Sequence, residues 1–490
     1  MTQSPGTIWA PIPATPPVLA GGPPVSLPWI ISAGHITVNG QRAQYPGVNF
    51  DNWPIFNLVA FKSGAEAGLD PGNCALVCQH LNNCAALGFR SIRIHGIDCF
   101  HGGDVFGDAA PKGTLALDPN CQQALAYFIY QARTVRNFRI GLTLHYNRIL
   151  LPSDVPANAP PEFAELMANG YPPGSNCPAG GMWPWNFSSP ALQALDAQYE
   201  EELLTYVSPY DNKPIGELLD FIVVRNEQLF GKTPPWPSAP GSASKLPVLN
   251  GMLYDAAQAW CSANGTNVNQ MTAITHAQFA ASLDVQLSTT ECARVRKLAP
   301  QALLISNTMY GDAPYSALPG CLVGDISDIH CYGPFTPPVA PAQRTGFAQM
   351  LAGCYCPGKP QSVTEWSCPS MTPAQQLALF GQATNDAIGQ DGDMMYLYSY
   401  ANSPIQGEGS PFWTPTEWDM RINSPLMTGV QYWNEQFVAP RSANPPTVTV
   451  TRTNGLYGAN AQGTQNYSQY GPTNDPAMAA VPVGTKVVAQ

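Results

Sequence analysis

The sequence predicts one closed (β/α)8 barrel with long loops, and three observations carry that expectation. From residue 45 to 438, short apolar runs alternate with longer amphipathic segments, the rhythm of βα units on a parallel sheet. Eight such runs occur, and their continuous Val, Ile and Leu content fits strands covered on both faces. No GxGxxG fingerprint follows any of them, which favours a closed barrel over a doubly wound sheet, the alternative arrangement.

In chain order the expected strands are 45–50 (YPGVNF), 89–95 (FRSIRIH), 139–146 (RIGLTLHY), 220–227 (DFIVVRNE), 302–308 (ALLISNT), 325–332 (DISDIHCY), 361–366 (QSVTEW) and 394–400 (MMYLYSY). Helices are expected over 73–87, 118–138, 188–207, 276–299, 372–389 and 424–438. Asp118-Pro119 and Ser189-Pro190 supply a capping side chain followed by a proline suited to the first helical position. Between the fifth and sixth strands the pattern reads as a short irregular link. Ahead of the first strand, HITVNGQRAQY (35–45) reads as a hairpin turning at Asn39-Gly40 and suited to closing the barrel floor.

The domain expectation follows. Residues 1–28 hold eight prolines and read as an extended arm or linker; 29–438 form the barrel with its hairpin; 439–490 are an irregular tail in which TVTVTRT is one candidate strand. A chain of 490 residues is long for one domain but within reach of a barrel with extended loops. Charged residues are only 11% of the chain, and 43 glycines with 50 prolines imply much ordered loop. A net charge of −11 argues against nucleic acid or an acidic membrane face as partner, and no apolar stretch is long enough to span a bilayer. No Lys or Arg precedes Arg42, so no secretion signal is recognisable; the compartment stays open, secretion and surface attachment included. The sequence is silent on oligomeric state.

Thirteen cysteines lack the paired CxxC spacing of a zinc site and read as buried thiols with a few disulfides. The sequons at Asn186, Asn264 and Asn466 matter only in a eukaryotic secretory route.

In a barrel the chemistry gathers at the C-terminal strand ends. Those ends carry Arg93 and His95; His145, Tyr146 and Asn147; Asn226, Glu227 and Gln228; His330 and Tyr332; Glu365 and Trp366; Tyr398 and Tyr400. Glu227 and Glu365 each close an apolar run, where an ionised group is costly unless partnered. Strands four and seven face each other across a barrel, so two carboxyls at their tips can flank one bond, as glycoside hydrolysis with retention requires. Arg93 can keep one of them ionised. Plainer readings stand beside this one. Glu227 can be an ion-pair partner of Arg225, Glu365 a helix cap, and His95 a partner of backbone groups. Asp98 and His101 read as loop residues, and Trp183, Trp185 and Trp236 as either loop packing or sugar-stacking platforms.

Five motifs in this order carry a family resemblance: SIRIH, LTLHYN, VVRNEQ, DIHCYG and VTEWS. With the opening HITVNGQRAQYPGVNFDNW, the chain resembles clan A of the glycoside hydrolases, most closely family five, over roughly residues 30–438. The resemblance implies Glu227 as acid/base and Glu365 as nucleophile. It further implies Asn226 at the sugar 2-hydroxyl, Tyr332 and Arg93 bonded to the nucleophile, His330 near the acid/base and His145 lining the −1 subsite. Where the family usually ends strand eight in Trp, this chain offers Tyr398 or Tyr400, with Trp366, Trp413 or Trp418 as replacements for the sugar platform. The implied activity is hydrolysis of β-linked oligo- or polysaccharides by double displacement, with a carbohydrate as partner and no metal or organic cofactor. A transglycosylase would use the same residues. An inactive carbohydrate-binding barrel is the non-enzymatic rival.

Overall fold

The computed structural model describes residues 16–51, 71–98, 113–146, 148, 150, 155–169, 182–228, 230, 237, 246–310, 318–331, 356, 358–366, 381, 383–385, 387–397, 425–441, 447–450 and 486–489. The fold is the expected (β/α)8 barrel. A small antiparallel sheet comes first, built from β1 (Ile30–Ser32), β2 (His35–Val38) and β3 (Gln41–Arg42). The barrel strands follow: β4 (Tyr45–Asp51), β5 (Ser91–His95), β6 (Arg139–His145), β7 (Phe221–Arg225), β8 (Leu303–Asn307), β9 (Met309–Tyr310), β10 (Ser327–Cys331), β11 (Gln361–Trp366) and β12 (Met394–Leu397).

All pairings in the barrel sheet are parallel. Closure depends on one broken strand. β8 pairs with β7, while β9, which resumes after Thr308, pairs with β10. The two are halves of the fifth strand, so eight strands complete the ring. In the tail, β13 (Thr447–Val450) pairs in parallel with β14 (Lys486–Ala489).

The described helices begin where capping chemistry places them. Asp118 accepts from Asn120 N at 2.8 Å and caps Pro119–Ile129, and Ser189 accepts from Leu192 N and caps Pro190–Thr205. Thr272 caps Ala273–Leu298. Among its described residues, the link between the fifth and sixth strands holds one short helix, Leu318–Cys321. Two further helices, Pro161–Asn169 and Pro247–Ala263, stand in segments to which the sequence pattern assigned no element. Each opens on a proline, whose missing N–H costs nothing at a helix start. Glu165 of the first helix accepts from Val248 N at 2.7 Å and Leu249 N at 3.0 Å, capping the second. With Trp185, Phe187 and Phe279 they bury a second apolar cluster beside the main core. The helix expected over 372–389 falls largely outside the described residues, as do residues 1–15 of the arm and most of the tail.

The barrel interior divides into an apolar floor and a polar upper half. Trp29, Tyr45, Phe221, Val223, Ile305, Met394 and Tyr396 fill the floor, joined by Ile36 and Val38 of the hairpin. Gly47 and Gly141 point inward where a Cβ would sit 2.2 Å from the Tyr396 ring and 2.0 Å from the Phe221 ring, so only glycine admits these aromatics. The hairpin is clamped by charge. His35 Nδ1 lies 3.1 Å from Asp393 Oδ2, and Arg42 Nε donates to Asp393 Oδ1 at 3.0 Å and also pairs with Asp391. Hydrogen bonds to Asp391 and Asp393 raise His35 from 6.5 to about 9, against the opposing effect of burial. A raised folded-state pKa stabilises fully below the unfolded value and is lost as pH climbs through the folded one. Between pH 6 and 9.5 the protein should therefore lose on the order of 1 kcal/mol at this solvent-screened site. Urea unfolding of His35→Gln at the two pH values should show that difference abolished.

Candidate active site

The polar half of the barrel is organised around Arg93, fully buried on β5. Its Nε donates to Thr143 Oγ1 at 2.9 Å. Nη1 donates to Glu365 Oε1 at 2.6 Å and to Asn49 Oδ1 at 3.1 Å, and Nη2 donates to Asn226 Oδ1. One rigid cation thus orients residues from β4, β6, the end of β7 and β11. His95 adds a second contact to the same carboxylate, its Nε2 3.2 Å from Glu365 Oε1. Burial by itself would raise the Glu365 carboxyl. The charges of His330, Arg93 and His95 outweigh it and hold the group well below the usual carboxylate range.

A bulge aims Glu365. Between Asp328 and His330, β10 advances two residues while β11 advances three, from Ser362 to Glu365. The same extra residue appears against β12, where Val363 pairs with Met395 and Trp366 with Leu397. Thr364 and Glu365 consequently both reach His330, which strict alternation along a strand forbids. Trp366 is turned the other way. It is 1% exposed and packs in the core between barrel and helices, so the expected role as a cleft-lining platform gives way to core packing.

Glu227 follows β7 in a left-handed conformation, φ 54°. A non-glycine residue holds that conformation only when its surroundings over-determine it. Here Arg225 Nη1 donates to Gln228 Oε1 at 2.6 Å, Asn307 Nδ2 donates to Gln228 O at 3.0 Å and Asn226 N donates to His145 O at 2.8 Å, so both flanks of Glu227 are fixed. The Glu227 side chain is 24% exposed, against 4% for Glu365. His330 joins the two carboxylates. Its Nδ1 lies 2.6 Å from Glu227 Oε1 and 3.4 Å from Glu365 Oε2. A carboxylate oxygen of Glu227 falls within 4.8 Å of one of Glu365.

Arg93, Asn226, Glu227, His330 and Glu365 are brought together. His145 is placed apart: its Nε2 lies 2.8 Å from Glu200 Oε1 and its Nδ1 3.7 Å from Asp196 Oδ1, both on the helix Pro190–Thr205. These contacts tie it into a buried ion network that includes Arg225, Glu291 and Arg294. Burial would lower His145, but Asp196 and Glu200 prevail and raise it. The ion pair read for Glu227 with Arg225 is replaced, since Arg225 bonds Glu291 and Asp196 at 2.7 Å each. Trp185 is buried in the second apolar cluster and Trp183 packs against it, the packing alternative in both cases. Tyr332 and Tyr398 lie outside the described residues, as do Asn147, His101, Trp236, Tyr400, Trp413 and Trp418.

Among the described residues, two triads bring metal-ligating atoms within 4.8 Å of one another: His145, Glu200 and Glu291, and Glu227, His330 and Glu365. Guanidiniums already neutralise both. Arg225 and Arg294 bond the first triad's carboxylates, and Arg93 bonds Glu365. A further cation there would meet repulsion.

Sequence reasoning passed over Asn49, Asp98, Thr143, Asp328 and Thr364. Asp98, read as a loop residue, is buried and accepts from Tyr146 N at 3.0 and 2.9 Å; the Tyr146 ring then stands edge-on to His95, centroids 4.6 Å apart. Polar residues at inward positions of apolar strands, such as Thr143 in RIGLTLH and Asp328 in DISDIHCY, were the available signal. Cys78, Cys84, Cys261 and Cys292 are free thiols.

No protein-family model matches the sequence, and no curated protein matches it. Solved structures do match in fold. The endo-1,4-beta-mannanase of Rhizomucor miehei superposes with a TM-score of 0.50 at 12% identity, over 84% of this chain and 99% of the mannanase. The endo-beta-1,4-mannanase of Thermotoga petrophila gives 0.50 at 12% identity, over 84% of this chain and 83% of that one. A glycoside hydrolase family 5 mannosidase from Rhizomucor miehei, solved with mannosyl-fructose, gives 0.50 at 13% identity, over 85% and 100%. In fold, the chain is a (β/α)8 barrel like those of these glycosidases.

Proposed function

We propose that the chain hydrolyses β-linked glycosides with net retention, Glu365 acting as nucleophile and Glu227 as acid/base. The observation that carries this reading is the pair of carboxylates meeting at His330, with oxygens within 4.8 Å, one held ionised by Arg93 and the other more exposed. One oxygen of each within that distance is compatible with the roughly 5–5.5 Å carboxyl separation of retaining enzymes. Glu365, an anion at neutral pH, attacks the anomeric carbon while Glu227 protonates the leaving oxygen. Glu227 then activates water to release the sugar. Asn226, its oxygen engaged by Arg93, is the residue for the sugar 2-hydroxyl. The fold shared with the mannanases makes mannosides the first substrates to test.

A panel of aryl β-glycosides and β-linked polysaccharides, assayed with wild type and Glu365→Ala, tests the reading. Turnover in the first and not the second supports it; no turnover across the panel leaves the binding-barrel reading instead. Arg93 also sets a pH dependence. Its loss in Arg93→Met raises the Glu365 carboxyl, so the nucleophile protonates at a higher pH. The acid limb of kcat/KM should move up by about one pH unit or more. A pH–rate profile from 3 to 8 that leaves this limb in place would remove Arg93 from that role.

A further inference from the structure

Beneath the paired glutamates lies a hydrogen-bonded chain that the reaction scheme above does not use. Asp328 is buried on β10 with four donors aimed at its two oxygens. Thr308 Oγ1 reaches Oδ2 at 2.9 Å and Thr364 Oγ1 reaches Oδ2 at 2.5 Å; Thr364 N reaches Oδ1 at 3.0 Å, joined there by the Ser362 hydroxyl. This is the pattern of an acceptor-only carboxylate. A hydroxyl has one proton, and that of Thr364 is committed to Asp328. Its oxygen can then only accept from His330 Nε2, 3.0 Å away. Nε2 must therefore carry a proton.

We propose that Asp328 and Thr364 are positioning residues that lock the Nε2 proton of His330, so that Nδ1 and Glu227 hold one transferable proton between them. This rests on the reading of Glu227 as acid/base. With Nε2 fixed as N–H, the single proton between Nδ1 and Glu227 Oε1 belongs to the pair, and Glu227 can deliver it to a leaving oxygen. Without the Thr364 hydroxyl, a buried Nε2–H loses its acceptor, and the neutral ring favours the Nδ1–H tautomer. Nδ1–H would then face Glu227 and Glu365 permanently and hold Glu227 as an anion unable to donate. The charged groups around the ring are Asp328 on its own strand, with an oxygen 3.8 Å from Nε2, Glu365 on β11 and Glu227 after β7; Arg93 and His95 of β5 reach it through Glu365. The β11 bulge makes the arrangement possible, since it lets Thr364 grip one ring nitrogen while Glu365 lies near the other.

Nitrogen-15 NMR of the full chain, with histidine side chains labelled and His330 assigned by His330→Gln, reads the tautomer without any assay. Wild type should show the proton on Nε2, and Thr364→Val should shift it to Nδ1, with Thr364→Ser restoring it. In kinetics, Thr364→Val should lose about 10–100-fold on a glycoside with a poor leaving group, which needs protonation. A dinitrophenyl glycoside, which does not, should form its glycosyl-enzyme at close to the wild-type rate. A general structural defect would slow both substrates alike. An Nδ1–H tautomer in wild type, or equal losses on the two substrates, overturns the proposal. If Nε2–H is found but no glycoside is turned over, the lock stands and the acid/base reading fails.

Discussion

Glu365→Ala should lose on the order of 10^5-fold or more in kcat on every β-glycoside the protein cleaves, because the proposed mechanism makes Glu365 the group that forms the covalent intermediate. Glu227→Ala should fail differently. An activated aryl glycoside needs little protonation, so glycosylation survives, and the second step stalls for want of a base. Azide needs no base. It should restore turnover in Glu227→Ala and give the β-glycosyl azide, since it meets the covalent intermediate on the face the leaving group vacated. In Glu365→Ala it enters from the nucleophile's own side and should give the α-azide. Proton NMR of the two products separates the roles: exchanged stereochemistry would reverse the assignment, and two fully active variants would place the chemistry elsewhere.

The second large effect is on stability. Arg225 is buried among Asp196 and Glu291, and Glu291 is already raised by burial despite the opposing pull of that arginine. Arg225→Leu would leave two buried carboxylates short of their cation, at a cost of about 3–5 kcal/mol and a fall of several degrees in Tm. Activity should fall as well, since Arg225 also holds Gln228 beside the left-handed Glu227. Adding Glu291→Gln removes one stranded charge and should recover part of the stability without recovering the lost activity. A single variant that melts like wild type would show the network contributes nothing net.

The barrel was legible because its signals are local. Apolar runs of strand length, Asp-Pro and Ser-Pro helix starts and the Asn39-Gly40 turn each sit within a few residues of sequence. Arg93, Asn226, Glu227, His330 and Glu365 were legible as residues at strand ends. What escaped depends on partners distant in sequence. His145 and Arg225 look like barrel-top residues until the helices Pro190–Thr205 and Ala273–Leu298 present Asp196, Glu200 and Glu291 to them. No pattern in QSVTEW reveals that β11 carries an extra residue, yet that residue puts Thr364 and Glu365 on one histidine and sends Trp366 into the core. The helices Pro161–Asn169 and Pro247–Ala263 were masked by neighbouring proline-rich sequence, although proline at a helix start was itself the clue.

The most direct test of the proposed chemistry is to trap the intermediate. A 2-deoxy-2-fluoro β-glycoside with a dinitrophenyl leaving group slows the second step and lets the glycosyl-enzyme accumulate. Intact-mass measurement should show one sugar per chain, and peptide mapping should place it on Glu365. A sugar bound through any other residue, or an active enzyme whose first-formed product has inverted configuration, would contradict the account.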